Sequence, residues 1–305
     1  MFNEDVLKEF LFDCKIRKLS DRTIKGYKNN NLKMFGFIKQ EYGIIELEEI
    51  NHIAIRGYLE YLTNLGLKET YINTLIKSFR AFFKYCVKEN YINRNPMDRI
   101  YCQKEPITLI NTFTDEEVSR MIKFYRGSKF LDVRNQLIMV ILFDTGMRNS
   151  ELCELKMTDI RDTYFKIMGK GNKERHVPIT PAINKVLIKY LRVRENYINN
   201  KINYDTEYLL LSQKGKKLTK EAVENIVRYC GTKCRVREGI RISPHTCRHY
   251  YAQSLLKNGC DLFTVSRLLG HSNINVTKRY LQSIQEDDTL ELGIKTSPLS
   301  NLKGF

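Results

Sequence analysis

No apolar run in the 305-residue chain approaches the length that crosses a bilayer, and the opening MFNEDVLKEF is acidic and amphipathic, unlike a secretion signal. These absences set aside a membrane protein and lead us to expect a cytoplasmic one. There is no internal repeat and no low-complexity stretch, which argues against repeat arrays and long disordered tails. A metal-binding pattern is also missing. His245 and His249 stand four apart, but the His-Glu-x-x-His order is not present, and no carboxylate or cysteine lies at zinc-finger spacing from them. The eight cysteines are irregularly spaced and read as reduced thiols, with Cys230 and Cys234 as helix neighbours and not a redox pair.

What the chain does have is positive charge, +16 overall, with 42% apolar residues, enough for two buried cores. Residues 1–103 carry 17 Lys/Arg against 13 Asp/Glu, and the remainder carries 34 against 22. The excess is spread along the chain and not gathered into a tail, which favours a charged surface facing a polyanion.

Helical periodicity organises the first hundred residues. One stripe joins Val6, Leu7, Phe10, Leu11 and Cys14. Ser20 caps a second helix carrying Ile24, Tyr27, Phe35 and Ile38, which ends near Gly43. A third runs from about Asn51 to Leu65 through Ile55, Tyr58, Leu59 and Leu62. The fourth, Lys68 to Lys88, turns Tyr71, Leu75, Phe79, Phe82 and Phe83 inward. Aromatics at this spacing are core residues, and Lys25, Lys28, Lys77, Arg80 and Lys84 fall on the solvent side. Asn95-Pro96 ends the bundle, and Cys102 to Asn111 reads as extended around Pro106. The expected domains are therefore 1–103 and 112–305, joined by a linker at 104–111.

Thr114 and Glu117 form a capping box at the start of the second domain. Asp132 to Thr145 is apolar on several faces and predicts a buried helix, stopped by Gly146 with Arg148 directly after it. Thr163 to Met168 and His176 to Ile179 predict a hairpin around Gly169-Lys170-Gly171-Asn172. A helix over Pro181 to about Asn196, a short strand at Tyr208 to Leu211 and a helix from Thr219 to about Arg235 follow. In the next stretch Ser243 and Pro244 open a helix, Asp261 caps another that stops at Gly270, and Ser272 caps a third bearing Tyr280. His245 and Arg248, three apart, share a face near a helix N-terminus, a placement suited to a phosphate.

Three blocks then occur in order: Thr145-Gly146-Met147-Arg148-Asn149-Ser150-Glu151, Gly169-Lys170-Gly171-Asn172-Lys173-Glu174-Arg175, and His245-x-x-Arg248 with Leu269-Gly270-His271 and Tyr280. Together they resemble the tyrosine recombinase (phage integrase and Xer) family. Two small departures are Cys247 inside the His-x-x-Arg block and the residues following Tyr280. The resemblance implies a mainly α fold with a small β-sheet. In it a four-helix core-binding (SAM-like) domain precedes a mixed α+β catalytic domain with a C-terminal tail.

It also implies a site-specific recombinase that cuts and rejoins DNA through a 3′-phosphotyrosyl bond, passing through a Holliday junction. No metal, ATP or other cofactor is implied. Tyr280 would attack, Arg148 and Arg248 would clamp the phosphate, and His271 would hydrogen-bond it. His245 would steer it or take the phenolic proton, while Lys170 would protonate the leaving 5′ oxygen. Nearby cations would lower the Tyr280 pKa, and Glu151 would orient the cations. Lys25, Lys28, Lys77, Arg80, Lys84, Lys173 and Arg175 would touch the DNA backbone. The partners implied are double-stranded DNA and a homo-tetramer on paired sites, or a paralogous recombinase, with no membrane. The tail around Leu290, Leu292 and Ile294 would dock on a neighbouring subunit or on its own domain. A type IB topoisomerase-like enzyme, or a DNA-binding protein without catalysis, would share parts of this pattern.

Overall fold

The computed structural model describes residues 2–106, 109–169, 174–199, 207–282, 290, 293–294 and 296–298. Lys170, Lys173 and Leu292 lie outside the described residues. The described chain is mostly helical with one two-stranded sheet, as expected, and divides into compact units at 1–107 and 108–305. No described helix is long and apolar enough to cross a membrane.

The first unit holds four α-helices: α1 (Asn3–Ile16), α2 (Asp21–Tyr42), α3 (His52–Asn64) and α4 (Glu69–Lys88). Local chemistry sets their ends. Ser20 Oγ accepts the Thr23 N–H, Asn51 Oδ1 accepts those of Ile53 and Ala54, and Gly43 closes α2 at φ 69°. Phe82 meets Phe10 and Phe35 edge-on, each 5.6 Å between ring centres, so the aromatic stripe is core. Tyr71 differs from expectation: it is exposed, and Ile72 takes the inward position. The buried stripe Ile72, Leu75, Ile76, Phe79, Phe82, Phe83 and Cys86 keeps a three-and-four spacing that Tyr71 does not join.

Lys25, Lys28, Lys77 and Lys84 are exposed. Arg80, expected beside them, is committed elsewhere, with its guanidinium donating to Ile100 O and to Cys102 Sγ. The start of the expected linker is likewise engaged. Asn73 Nδ2 donates to Gln103 O at 2.9 Å and to Glu105 Oε1 at 2.8 Å, while Gln103 N–H donates to Asn73 Oδ1. At the other end Gln253 donates to Ile110 O and Thr112 Oγ1 to Thr246 O.

The second unit starts with α5 (Asp115–Phe124), entered through the Thr114–Glu117 capping box. The central α6 (Phe130–Thr145) has eleven buried residues. Then come α7 (Asn149–Glu154), the hairpin β1 (Tyr164–Met168) and β2 (Glu174–Pro178), α8 (Pro181–Asn199) and α9 (Lys220–Lys233). The antiparallel register pairs Phe165 with Val177 and Ile167 with Arg175. The expected strand at Tyr208 to Leu211 is not one. Only isolated bridges, Lys156 to Tyr208 and Leu211 to Lys217, are made there. Side chains take its carbonyls instead: Arg194 bonds Tyr208 O and Leu209 O, Tyr190 bonds Leu209 O, and Arg134 bonds Leu211 O. Leu210 O accepts the Leu218 N–H, and the chain bends at Leu209 and Leu210, so the segment satisfies its acceptors without forming a strand.

Three further described helices, α10 (Pro244–Lys257), α11 (Leu262–Leu269) and α12 (Asn275–Leu281), enclose a small core of their own. It contains Tyr251, Ala252, Leu256, Val265, Leu269 and Tyr280. Asp261 caps α11 as expected, but Ser272 does not cap α12; the Asn275 N–H goes to Asn273 Oδ1 at 2.9 Å.

Gly146 ends α6 at φ 58°, and a Cβ there would come within 2.5 Å of Tyr251 Cδ1 and 2.9 Å of Leu269 Cδ2. Gly146→Ala should therefore lose about 1–3 kcal/mol in chemical denaturation, from left-handed strain and overpacking together. A loss below about 0.5 kcal/mol would mean that Tyr251 moves aside freely.

Candidate active site

α10 supplies the buried centre of the site. Ser243 Oγ accepts the Thr246 N–H at 3.3 Å, and Pro244 fills the first helical position. This start places Arg248 one turn in, 3% exposed. Its Nη1 donates to Gly146 O and its Nη2 to Leu269 O, both at 2.7 Å. Those carbonyls lie at the C-terminal ends of α6 and α11, where left-handed glycines turn the chain and leave acceptors without helical partners. The same ends carry the negative pole of each helix, so a buried guanidinium is stabilised there. Burial, helped by Arg148 and Arg175 and opposed by Glu151 and Tyr280, lowers Arg248 to about 10, still protonated at neutral pH.

Arg148 enters just before α7. Its Nη1 donates to Glu151 Oε1 at 2.7 Å, its backbone N–H to Glu151 Oε2 at 2.9 Å, and its Nη2 to Gly270 O at 3.1 Å. Glu151 is shared. Arg175 reaches it from β2 with both amino nitrogens, at 2.9 Å and 2.7 Å, while Arg175 Nε holds Leu268 O at 3.1 Å. Burial disfavours the Glu151 anion and is the largest single influence. The hydrogen bonds and charge of Arg175, joined by those of Arg148, outweigh it and hold the carboxyl down at about 2.

Arg175 is thus a correction to the expectation from sequence. The family resemblance has it touch the DNA backbone, yet its side chain is only 11% exposed and is clamped on Glu151. Strand alternation held the signal: Arg175 lies two residues before Val177, which is buried.

Tyr280 comes from α12 and is 3% exposed, packed in the small terminal core. Its hydroxyl is 3.0 Å from Nδ1 of His249, a residue the sequence reading weighed only as a metal ligand. Burial raises the phenol above its usual value, and Arg248, Arg279 and Arg148 pull it down without prevailing. The expected lowering by nearby cations is therefore overturned in this state, because desolvation is the larger effect. His271 follows Gly270, bonds Thr277 Oγ1 through Nδ1 at 2.7 Å and lies parallel to the Tyr280 ring at 6.4 Å. Burial, then Arg248, Arg148 and Arg175, lower His271 to about 4, so it is neutral at pH 7. His245 keeps a solvent-facing side, but the protein packed around its ring, and then Arg248, lower its pKa, and the ring meets His249 edge-on at 4.2 Å.

Arg148, Glu151, Arg248, His271 and Tyr280 are thus brought together, with His245 at their edge. An open cleft of about 930 Å³ reaches Arg148 and His271 and is lined further by Arg175, His176, Arg267 and the acidic Glu174, with Arg248 and Tyr280 buried outside its lining. Cations outnumber acids along it, so it can receive a phosphate-bearing polyanion beside a buried phenol.

Comparison with known proteins identifies the family. The phage integrase family profile matches residues 111–287, and the phage integrase SAM-like domain matches residues 5–104. A tyrosine recombinase XerC from Thermodesulfovibrio yellowstonii is 30% identical over 298 residues, covering 96% of each chain. A XerC from Listeria monocytogenes serovar 1/2a is 31% identical over 294 residues, covering 94% of this chain and 96% of its own. Among solved structures, a lambda integrase (75-356) dimer bound to a COC′ core site superposes with a TM-score of 0.74 at 19% identity, covering 94% and 97% of the two chains. A XerH recombinase bound to a palindromic difH substrate does so at 0.73 and 22%, covering 93% and 82%. At these identities the structures speak for the fold.

Glu151 also makes a pH prediction. Its folded pKa of about 2 lies below the ordinary 4.5, so its stabilising contribution is full above about 4.5 and fades as pH falls toward 2. Glu151→Gln should be about 1–3 kcal/mol less stable than wild type, by a constant margin from pH 8 to 5. The margin should narrow below about pH 4.5. A margin that does not change with pH down to 3 would show that the carboxylate charge contributes nothing.

Proposed function

The chain belongs to the phage integrase family of tyrosine recombinases, and on that premise we propose which residues carry out its DNA breakage and rejoining and how. It is a site-specific recombinase. The observation that carries the residue assignment is that Arg148 and His271 line one cationic cleft, while Arg248 and Tyr280, from two further elements, lie buried next to them. Nη2 of Arg148 retains a second hydrogen beyond the one given to Gly270 O, and the N–H groups of Arg248 outnumber the two carbonyls and the Tyr280 hydroxyl that they serve. Those hydrogens and His271 bind the non-bridging oxygens of a phosphodiester and neutralise the charge that grows as phosphorus becomes five-coordinate.

Tyr280 is the nucleophile. Its oxygen bonds to phosphorus as the bond to the 5′ oxygen breaks, leaving a 3′-phosphotyrosyl ester and a 5′ hydroxyl. Lys170 gives the leaving oxygen its proton, and His245 steers the phosphate from the edge of the site. The ester keeps the energy of the broken linkage, so a partner strand's 5′ hydroxyl can reseal it without ATP. Glu151, held by Arg148 and Arg175, fixes the clamp from behind. Residues 1–103 act as the core-binding domain, where Lys25, Lys28, Lys77 and Lys84 meet backbone phosphates, and residues 112–305 as the catalytic domain. The working assembly is a homo-tetramer, or one completed by a paralogous recombinase, on paired double-stranded sites in the cytoplasm. It exchanges strands through a Holliday junction. Relatives named as recombinases along 96% of this chain favour that reading over a DNA-relaxing enzyme.

Tyr280→Phe should bind DNA like wild type and form no covalent complex on a nicked suicide substrate. Covalent trapping at the wild-type level would move the nucleophile elsewhere. The acid is tested separately. Lys170→Ala should cleave ordinary DNA about 10²–10⁴-fold more slowly and recover on a substrate with sulfur at the bridging 5′ position, since a thiolate leaves without a proton. Lys173→Ala should weaken binding to both substrates. Rescue of Lys173→Ala alone by sulfur would assign the acid to Lys173.

A further inference from the structure

We propose that His249 is the base of this site, accepting the phenolic proton of Tyr280 at Nδ1 as the phenol oxygen attacks phosphorus. The proposal rests on the reading of Tyr280 as nucleophile. The hydrogen bond to the Tyr280 hydroxyl, 3.0 Å long, is made by His249, whereas His245 in the His-x-x-Arg block packs its ring edge-on against that of His249. α10 sets Arg248 and His249 side by side. Arg248 turns to the helix-end carbonyls behind the clamp, and His249 turns to α12 and the phenol. One helix therefore delivers a phosphate ligand and a proton acceptor to the two atoms that must meet.

In the free site His249 has room for a proton but low affinity for one, and the phosphate must supply the difference. The groups acting on His249 are His245 and Arg248 from its own helix, His271 from the turn after α11, and Arg279 and Tyr280 from α12. Burial first, then the neighbouring His245, Arg248, Arg279 and His271, holds His249 at about 4, so at pH 7 it is neutral and has one nitrogen free of hydrogen. Tyr280 keeps its proton because burial raises the phenol, and it can donate that proton to Nδ1. A phosphodiester seated on Arg148 and Arg248 brings in negative charge that offsets the effect of Arg248 on His249 and raises its proton affinity. In the forward step the Tyr280 oxygen–phosphorus bond forms, the phosphorus–5′ oxygen bond breaks, the phenolic proton moves to Nδ1, and the 5′ oxygen receives a proton from Lys170. Rejoining reverses each transfer, so the protein ends unchanged.

The test uses the full chain in single-turnover cleavage of a nicked suicide substrate. His249→Gln, which can hydrogen-bond but not take up a proton, should cleave about 10²–10⁴-fold more slowly with unchanged DNA affinity. Replacing Tyr280 with a trifluorotyrosine that ionises near neutral pH removes the need for a base. His249→Gln should then regain most of its lost rate, while the wild-type rate changes little. His249→Ala should behave the same way, and if it fails to fold, His249→Gln decides alone. A wild-type rate for His249→Gln would overturn the proposal. So would a loss that the fluorinated phenol leaves in place, which would mark a structural role, or rescue confined to His245→Gln. Covalent trapping by Tyr280→Phe would instead sink the parent reading, whatever His249 does.

Discussion

Everything at the site depends on how three guanidinium groups are held together, Arg175 and Arg248 largely buried and Arg148 partly open to the cleft. The three repel one another, and the two buried ones need acceptors to offset their lost hydration. One buried carboxylate, Glu151, serves Arg148 and Arg175. The remaining acceptors are carbonyls: Gly146 at the end of α6, and Leu268, Leu269 and Gly270 at the end of α11. Two helix C-termini therefore act as the counter-charge for the clamp. This arrangement explains why chain segments more than a hundred residues apart must meet before the site exists.

The same interior decides the resting state of the nucleophile. Proximity to cations favours a phenolate, but Tyr280 sits in a small hydrophobic core that disfavours any charge, and the core prevails. The imidazoles respond to both influences in one direction, since burial and positive neighbours each remove their protons. The free site thus combines a protonated phenol, neutral histidines and charged arginines. Among the described residues of the site the arginines carry the charge that brings a phosphate in, and the proton movements wait for its arrival.

Much of this was legible in the sequence wherever the physics is local. Ser20, Asn51, Thr114, Ser243 and Asp261 cap helices because a short polar side chain can reach N–H groups two or three residues away. The four-helix unit followed from apolar spacing alone. What was not legible depends on distant partners. Tyr208 to Leu211 has strand-like composition, but Arg134, Tyr190 and Arg194 claim its carbonyls. Alternation shows which hairpin residues share a face with Arg175 but not that this face covers Glu151. Nothing within a turn of His249 points to a tyrosine 31 residues away, and residue charges reveal neighbouring cations but not the burial that outweighs them.

Because the arginines are seated on carbonyls, the site presents an unusually small target to point mutation on its acceptor side. Exchanging Leu268 or Leu269 for another residue changes a side chain and leaves the main-chain oxygen where it was. Codon changes can remove such an anchor only by rerouting the chain, and the vulnerable places are the left-handed turns at Gly146 and Gly270. Drift can therefore rewrite the α11 surface widely while the clamp keeps its geometry, provided those two glycines persist.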